Sequence, residues 1–231
     1  LNKDAMQYLQ SIGASDMLSL WIINSVAATI RADQVAALAA LPGVELVSEN
    51  VSFQAPLVTT GTTGTATAST WNLLAFHIQE LWNMGITGKG IVVANVDTGV
   101  DFYHPDLQSK WRGLATSPTV TAYHWYDVWN QHAYPSDIPS AANSKYSHGT
   151  YTMGLMVASS STNTSVGVAP DAKWIAVKIF DDTGTADQAH TIAGLQWLLN
   201  PDGNPATNDA PDVVNISWST AAVNACDTAY Q

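Results

Sequence analysis

Residues 91–101, IVVANVDTGVD, run almost wholly apolar from Ile91 to Val96 and then place an acid, Asp97, where the run ends. So short a run, rich in β-branched residues and lacking polar alternation, reads as a strand covered on both faces, the kind that parallel sheets contain. A carboxylate at the end of such a strand is costly to bury unless it is paired or hydrogen-bonded, so Asp97 calls for a partner. Capping of the following turn is the plainer alternative for an acid in that place.

Outward from this strand the pattern repeats. The turn signal ITGKG (86–90) precedes it, and Trp71 to Met84 has helical character. Three further apolar runs follow at Val120–Tyr126, Trp174–Ile179 and Val213–Ile216, while His148–Ala158 and Ala186–Leu199 carry helical periodicity. Strands alternating with helices predict an α/β fold, a mostly parallel sheet with helices on both faces. In such sheets ligands bind beyond the carboxyl ends of the strands, which directs attention to the residue after each run.

Upstream, Ala5, Met6, Leu9 and Ile12 recur at helical spacing until Gly13 and Ser15. Residues 18–30 read as strand material leading into a helix from Arg31 to Leu41, closed by Pro42-Gly43, with Val44–Ser48 alternating as a further strand. Residues 1–50 therefore form a small α+β module. Pro56–Ser69, PLVTTGTTGTATAS, has neither charge nor period and reads as a flexible connector. The expected divisions are 1–50, a linker over 51–70, and 71–231.

Composition narrows the function. The 231 residues are 46% hydrophobic and 12% charged with nine Trp, which describes a chain with a packed core rather than a disordered one. Nineteen acids against eight bases give a formal charge of -11, which repels a phosphate backbone, so no nucleic-acid partner is expected. No apolar run of about 18 residues exists, so no membrane span is expected. The acidity and the Ser/Thr/Asn-rich loops suit a secreted, extracellular enzyme, and no signal-peptide pattern opens the sequence at Leu1. Cys226 is the single cysteine, cannot form an intramolecular disulfide, and reads as an incidental or buried thiol rather than a nucleophile.

The second chemical signal is SHGTYTMG (147–154). Ser147 is expected to cap a helix whose first turn contains His148, with Gly149 and Gly154 allowing close backbone approach. The helix dipole at that place is expected to lower the imidazole pKa and favour its neutral, proton-accepting form.

DTGVDFYHPDL (97–107) followed by HGTYTMG (148–154) resembles the Asp and His motifs of the subtilase family, the subtilisin-like serine proteases of peptidase family S8, in that family's order of Asp, His, Ser. GVAPDAKWIAVKIF (167–180) resembles the family's strand after the catalytic helix, and PDVVNISWS (211–219) the strand forming one wall of its cleft. The resemblance covers about residues 71–220. Residues 21–50, WIINSVAATIRADQVAALAALPGVELVSEN, resemble the C-terminal part of the family's inhibitory propeptide, of the inhibitor I9 kind.

The resemblance implies a subtilisin-like sheet, incomplete at its C-terminal side, and a serine endopeptidase acting on protein or peptide substrates. Asp97 would orient His148, and His148 would act as base and then acid. Substrate would pair with Asp182-Thr183-Gly184 and with Ser217-Trp218-Ser219 by strand addition. The propeptide-like segment would be an intramolecular inhibitor, removed by cleavage between Glu49 and Thr70. No cofactor would be needed for catalysis. Asp106 and the loop Ser159–Ser165 resemble a structural Ca²⁺ site, whose hard cation takes carboxylate and carbonyl oxygens.

Some of the family's pattern is missing. No serine lies in the Gly-Thr-Ser context of the family nucleophile, so none is assigned, and the oxyanion-hole Asn is likewise unmatched. Tyr151 stands where a second His is common, and Ser219-Thr220 where Gly is usual. The chain is then a truncated piece, the N-terminal part of a nicked enzyme whose C-terminal remainder is a separate chain, or a non-catalytic, peptide-binding remnant. Two other classes compete: an aspartic peptidase through Asp97-Thr98-Gly99, and a metal hydrolase, for which His104, Asp106 and His148 lack the usual ligand spacing.

Overall fold

The computed structural model describes residues 3–56, 71–115, 123–138, 147–159 and 166–219. In chain order its helices are α1 (Lys3–Ser11), α2 (Val35–Ala39), α3 (Trp71–Ala75), α4 (Ile78–Asn83), α5 (His148–Val157) and α6 (Gln188–Leu198). The strands are β1 (Ser15–Leu20), β2 (Ser25–Thr29), β3 (Ser52–Gln54), β4 (Val92–Asp97), β5 (Trp125–Asp127), β6 (Lys173–Lys178), β7 (Thr185–Asp187) and β8 (Val213–Asn215).

Four of these strands make a parallel sheet in the order β5-β6-β4-β8. The register sets Asp97 beside Lys178 and Lys178 beside Asp127, so three ionisable residues stand side by side at the carboxyl end of the sheet. Side chains alternate across a strand. Ala94 and Val96 of β4, with Ile175 and Val177 of β6, pack with Val128, Ile179 and Leu198 on the α6 face. Val93 of β4, with Trp174 and Ala176 of β6, packs with Val100, Met153 and Val157 on the α5 face. Each face is thus covered, which is why these runs show no polar alternation. The same alternation turns Asn95 and Asp97 toward α5, whose first residue is His148.

At the N-terminal side, β1 and β2 form an antiparallel hairpin around Trp21–Asn24, with Asn24 left-handed at φ 51°. The expected single stretch over 18–30 is therefore two strands. The expected Arg31–Leu41 helix is a short 3-10 turn followed by α2. The expected strand at Val44–Ser48 is absent: residues 44–50 form no regular element, and Leu46 is 80% exposed, because alternation alone provides no sheet edge to pair with. Leu20, with Leu18, Ile22, Ile23 and Ala27, packs on Ala189, Ile192 and Ala193 of α6.

The expected helix from Trp71 to Met84 breaks into α3 and α4 at His77, left-handed at φ 56°. The stretch expected to be linker from residue 51 begins with β3, paired antiparallel with β7 from Ser52↔Asp187 to Gln54↔Thr185. Residues 57–70, 120–122 and 160–165 and Cys226, on which other expectations fall, lie outside the described residues.

Candidate active site

Asp97 closes β4 with its side chain fully buried, and His148 opens α5 with its side chain 15% exposed. The imidazole Nδ1 lies 2.9 Å from both carboxylate oxygens of Asp97. The Thr98 backbone N–H donates to Asp97 Oδ1 at 2.7 Å, and Thr152 Oγ1 stands 3.5 Å from Oδ2. The buried acid is therefore paired, as its place at the end of an apolar strand demands. With Nδ1–H directed at the carboxylate, the lone pair lies on Nε2, the atom free to take a proton from a hydroxyl.

The pair is close because two backbones approach without side chains between them. A Cβ on Gly149 would lie 2.1 Å from the Gly99 carbonyl oxygen, and one on Gly99, at φ 111°, would lie 2.0 Å from the Ser136 carbonyl oxygen. The first turn of α5 thus seats directly on the turn after β4. Asn95, one alternation back, donates through Nδ2 to Gly149 O at 3.0 Å and to Thr152 Oγ1 at 2.9 Å.

Two sequence expectations are corrected here. Ser147 precedes α5 but makes no side-chain cap. The free N–H groups of that first turn are met from other elements: Gly149 N–H by Thr98 Oγ1 at 2.8 Å and Thr150 N–H by Asp137 Oδ2 at 2.9 Å. The His148 pKa is raised, not lowered. Its hydrogen bond to Asp97 is the largest cause; burial opposes it, and the negative charges of Asp97 and Asp137 add to it. A carboxylate in contact outweighs a helix dipole at longer range.

Asp137, Thr150 and Lys178 were not singled out from the sequence. Lys178 is fully buried at the end of β6. Its Nζ donates to Thr98 O at 3.3 Å and to Phe180 O, and lies 3.4 Å from Asp182 Oδ1. Burial lowers its pKa, against the pull of Asp182, Asp127 and Asp137. A lysine inside an apolar run, WIAVKIF, was the available signal, since such a cation needs oxygens around it.

The residues expected to meet substrate divide into two groups. Ser217, Trp218 and Ser219 line a groove of about 790 Å³ whose other side is residues 51–54 and Pro56. Trp218 is fixed by a hydrogen bond from Nε1 to Val96 O at 2.8 Å, and the Phe53 ring stacks on it with centroids 5.2 Å apart. Phe53 also meets Phe180 edge-on at 5.6 Å. Gly184, at φ 82°, accepts a hydrogen bond from Ala55 N–H at 2.7 Å. Asp182 is engaged by the segment after β5, and Thr183 within its own loop. Asp182 is held by His132 Nε2 at 2.8 Å, and Thr183 Oγ1 donates to Asp181 at 2.7 Å.

Asp106 receives no metal cage from the described residues. Its backbone N–H meets His104 Nδ1 at 3.3 Å, and no group of three or more His, Cys, Asp or Glu gathers among the described residues. The loop expected to complete a calcium site lies at 160–165, outside them. Among the described residues no serine hydroxyl is hydrogen-bonded to the His148 ring, and no helix is long and apolar enough to cross a membrane.

Comparison with known proteins fits this geometry. The sequence profile of the Subtilase family matches residues 88–231. Bacillopeptidase F of Bacillus subtilis (strain 168) is 34% identical over 94% of this chain and 16% of its own length. ANVDTGVD (94–101), WLL (197–199) and APDVVNISW (210–218) of this chain resemble the bacillopeptidase F type. Fervidolysin of Fervidobacterium pennivorans is 33% identical over 64% of this chain and 19% of its own length. Minor extracellular protease Epr of Bacillus subtilis is 27% identical over 87% of this chain and 27% of its own length. The chain thus spans about a quarter or less of each of these relatives. By the profile match and by its likeness to bacillopeptidase F across nearly its whole length, the chain belongs to the subtilase family, the subtilisin-like serine proteases.

Proposed function

We propose that this chain is the Asp–His part of a secreted serine endopeptidase that hydrolyses peptide bonds in proteins. The observation that carries the reading is the contact of His148 Nδ1 with both oxygens of buried Asp97 at the carboxyl end of the sheet. In this reading Nε2 takes the proton of an attacking serine hydroxyl and returns it to the leaving amine, while Asp97 fixes the tautomer and stabilises the imidazolium. The serine comes from polypeptide other than these 231 residues, because none of their serines lies in the family's nucleophile context. The name of the relative Epr, an extracellular protease, supports secretion.

The reading of a substrate groove along Ser217, Trp218 and Ser219 is supported by the segment that lies against it. β3 adds to the edge of β7 through backbone hydrogen bonds and lays Phe53 on Trp218, the manner in which an extended peptide joins a sheet edge. Residues 1–50, together with β3 of the stretch that follows, then act as an intramolecular inhibitor that holds the groove until it is cut away.

The test is a fluorophosphonate probe, which reacts only with an activated serine, applied to the natural preparation with intact-mass analysis. Label on a second polypeptide copurifying with this chain, and its loss in Asp97→Asn or His148→Ala variants, is the expected result. An unlabelled preparation containing the complete natural protein overturns the catalytic reading and leaves a peptide-binding protein.

A further inference from the structure

Asp137 touches neither His148 nor Asp97, yet its four hydrogen bonds bind the two elements that carry them. Oδ1 accepts from Thr98 Oγ1 at 2.7 Å and from Ile138 N–H at 2.8 Å. Oδ2 accepts from Thr150 N–H at 2.9 Å and from Thr150 Oγ1. Thr98 directly follows Asp97, and Thr150 lies in the first turn of α5 behind His148. The circuit closes through Thr98 Oγ1, which also accepts from Gly149 N–H at 2.8 Å. Thr150 Oγ1 in turn accepts from Asp101 N–H at 2.9 Å, adding the loop after β4.

We propose that Asp137 is a positioning residue: its carboxylate braces the turn after Asp97 against the first turn of α5 and so holds the His148 ring in register with both oxygens of Asp97. This deepens the protease reading, on which its purpose rests. Asp97 and His148 belong to elements far apart in sequence. Besides apolar packing, Asn95 bonds across to Gly149 and Thr152, but Asp137 is the carboxylate that accepts from both Thr98, beside Asp97, and Thr150, behind His148. A displacement of about 1 Å in such a pair costs on the order of 10²-fold in rate. A carboxylate suits the place because four donors converge on two oxygens, whereas a carboxamide offers one oxygen and turns an N–H₂ toward donors on the other side.

Burial pushes the Asp137 carboxyl up to about 6, against the hydrogen bonds from both threonines and Ile138, so the ionised brace is complete above that value. The charges that feel it are His148, whose proton affinity it raises, and buried Lys178.

The experiment is an NMR titration of the His148 ring in the 231-residue chain, beside Asp97→Asn, Asp137→Asn, Thr150→Val and Thr150→Ser. Asp97→Asn is expected to lower the His148 midpoint. Asp137→Asn lowers it in the same direction by a smaller shift and displaces the amide signals of Thr98, Gly149 and Thr150. Thr150→Val removes one arm of the brace, and losing that hydrogen bond also raises the Asp137 pKa. Position is therefore read from the Thr98 and Gly149 amide signals at a pH well above the Asp137 titration, where the carboxylate stays ionised. They are expected to move in Thr150→Val and return in Thr150→Ser, alongside a fall and recovery of the midpoint.

A midpoint that is the same in Thr150→Val, Thr150→Ser and the unaltered chain overturns the proposal, whatever Asp137→Asn does, and decides the matter if Asp137→Asn does not fold. Should Asp97→Asn also leave the midpoint in place, the pairing of His148 with Asp97 fails as well. If Asp97→Asn alone moves it, the pair stands without the brace.

Discussion

At the residue scale, the Asp97–His148 contact ties stability to pH with a definite sign. The folded His148 pKa lies above the ordinary 6.5, held up by the hydrogen bond to Asp97 against burial. A group whose pKa is raised on folding adds stability that is fully present below its unfolded value and is lost as pH rises through its folded value. A hydrogen bond to a charged group contributes about 1.5–3 kcal/mol. The expected result is a gap in urea-unfolding free energy between the native chain and Asp97→Asn that is widest just below pH 6.5 and narrows as pH passes the His148 midpoint, leaving the share held by the neutral Nδ1–H and the Thr98 N–H. A gap independent of pH would show that His148 is not the group Asp97 serves. Asp97 and His148 were legible as a pair, through the resemblance of DTGVDFYHPDL and HGTYTMG to the family's two motifs, whereas either residue alone also suits a structural role. Asp137 was not. Its partners come from β4 and α5, and SDIPS, the sequence around it, looks like any polar loop.

At the element scale, what could be read depended on whether an element's signal is local. β4, β6 and β8 lie within a residue or two of the apolar runs that predicted them, since strands covered on both faces write their burial directly into composition. β3 and β7 were missed, being three-residue strands whose reason to exist is each other, across a long separation in sequence. The break between α3 and α4 falls on His77, with no Gly or Pro to mark it. α6 was legible, and its start explains where β7 ends. Asp187 is both the last residue of β7 and the N-cap of α6, its Oδ1 accepting from His190 N–H at 2.8 Å and its Oδ2 meeting His190 Nδ1 at 2.8 Å. The His190 ring stacks in turn on Trp129 at 3.9 Å. Replacing a capping Asp by Ala costs about 0.5–2 kcal/mol. Asp187→Ala is expected to lose that much in urea unfolding and to weaken the helix face on which Leu20 packs. An unfolding free energy equal to that of the native chain would mean that the strand, not the cap, sets the start of the helix.

At the scale of the whole molecule, two forces oppose each other. The formal charge of -11 pushes copies apart. Against it stands the end of the parallel sheet, where β8 pairs with β4 on one side only among the described residues and leaves Val213, Val214 and Ile216 between 41% and 53% exposed. A sheet edge with unpaired backbone groups and apolar side chains is a template for another strand, and natural proteins blunt such edges with charges, above all Lys. Which force prevails depends on salt, because the Debye length falls from about 30 Å at 0.01 M to about 10 Å at 0.1 M and about 3 Å at 1 M. Repulsion between whole molecules is screened long before contact at an edge is affected. The 231-residue chain is therefore expected to sediment as a monomer at low ionic strength and to self-associate as salt is added, whereas Val214→Lys stays monomeric throughout. Association that weakens with salt would identify a charge-driven contact elsewhere on the surface. A native chain that stays monomeric at every ionic strength would mean that the β8 edge is not open to a second copy.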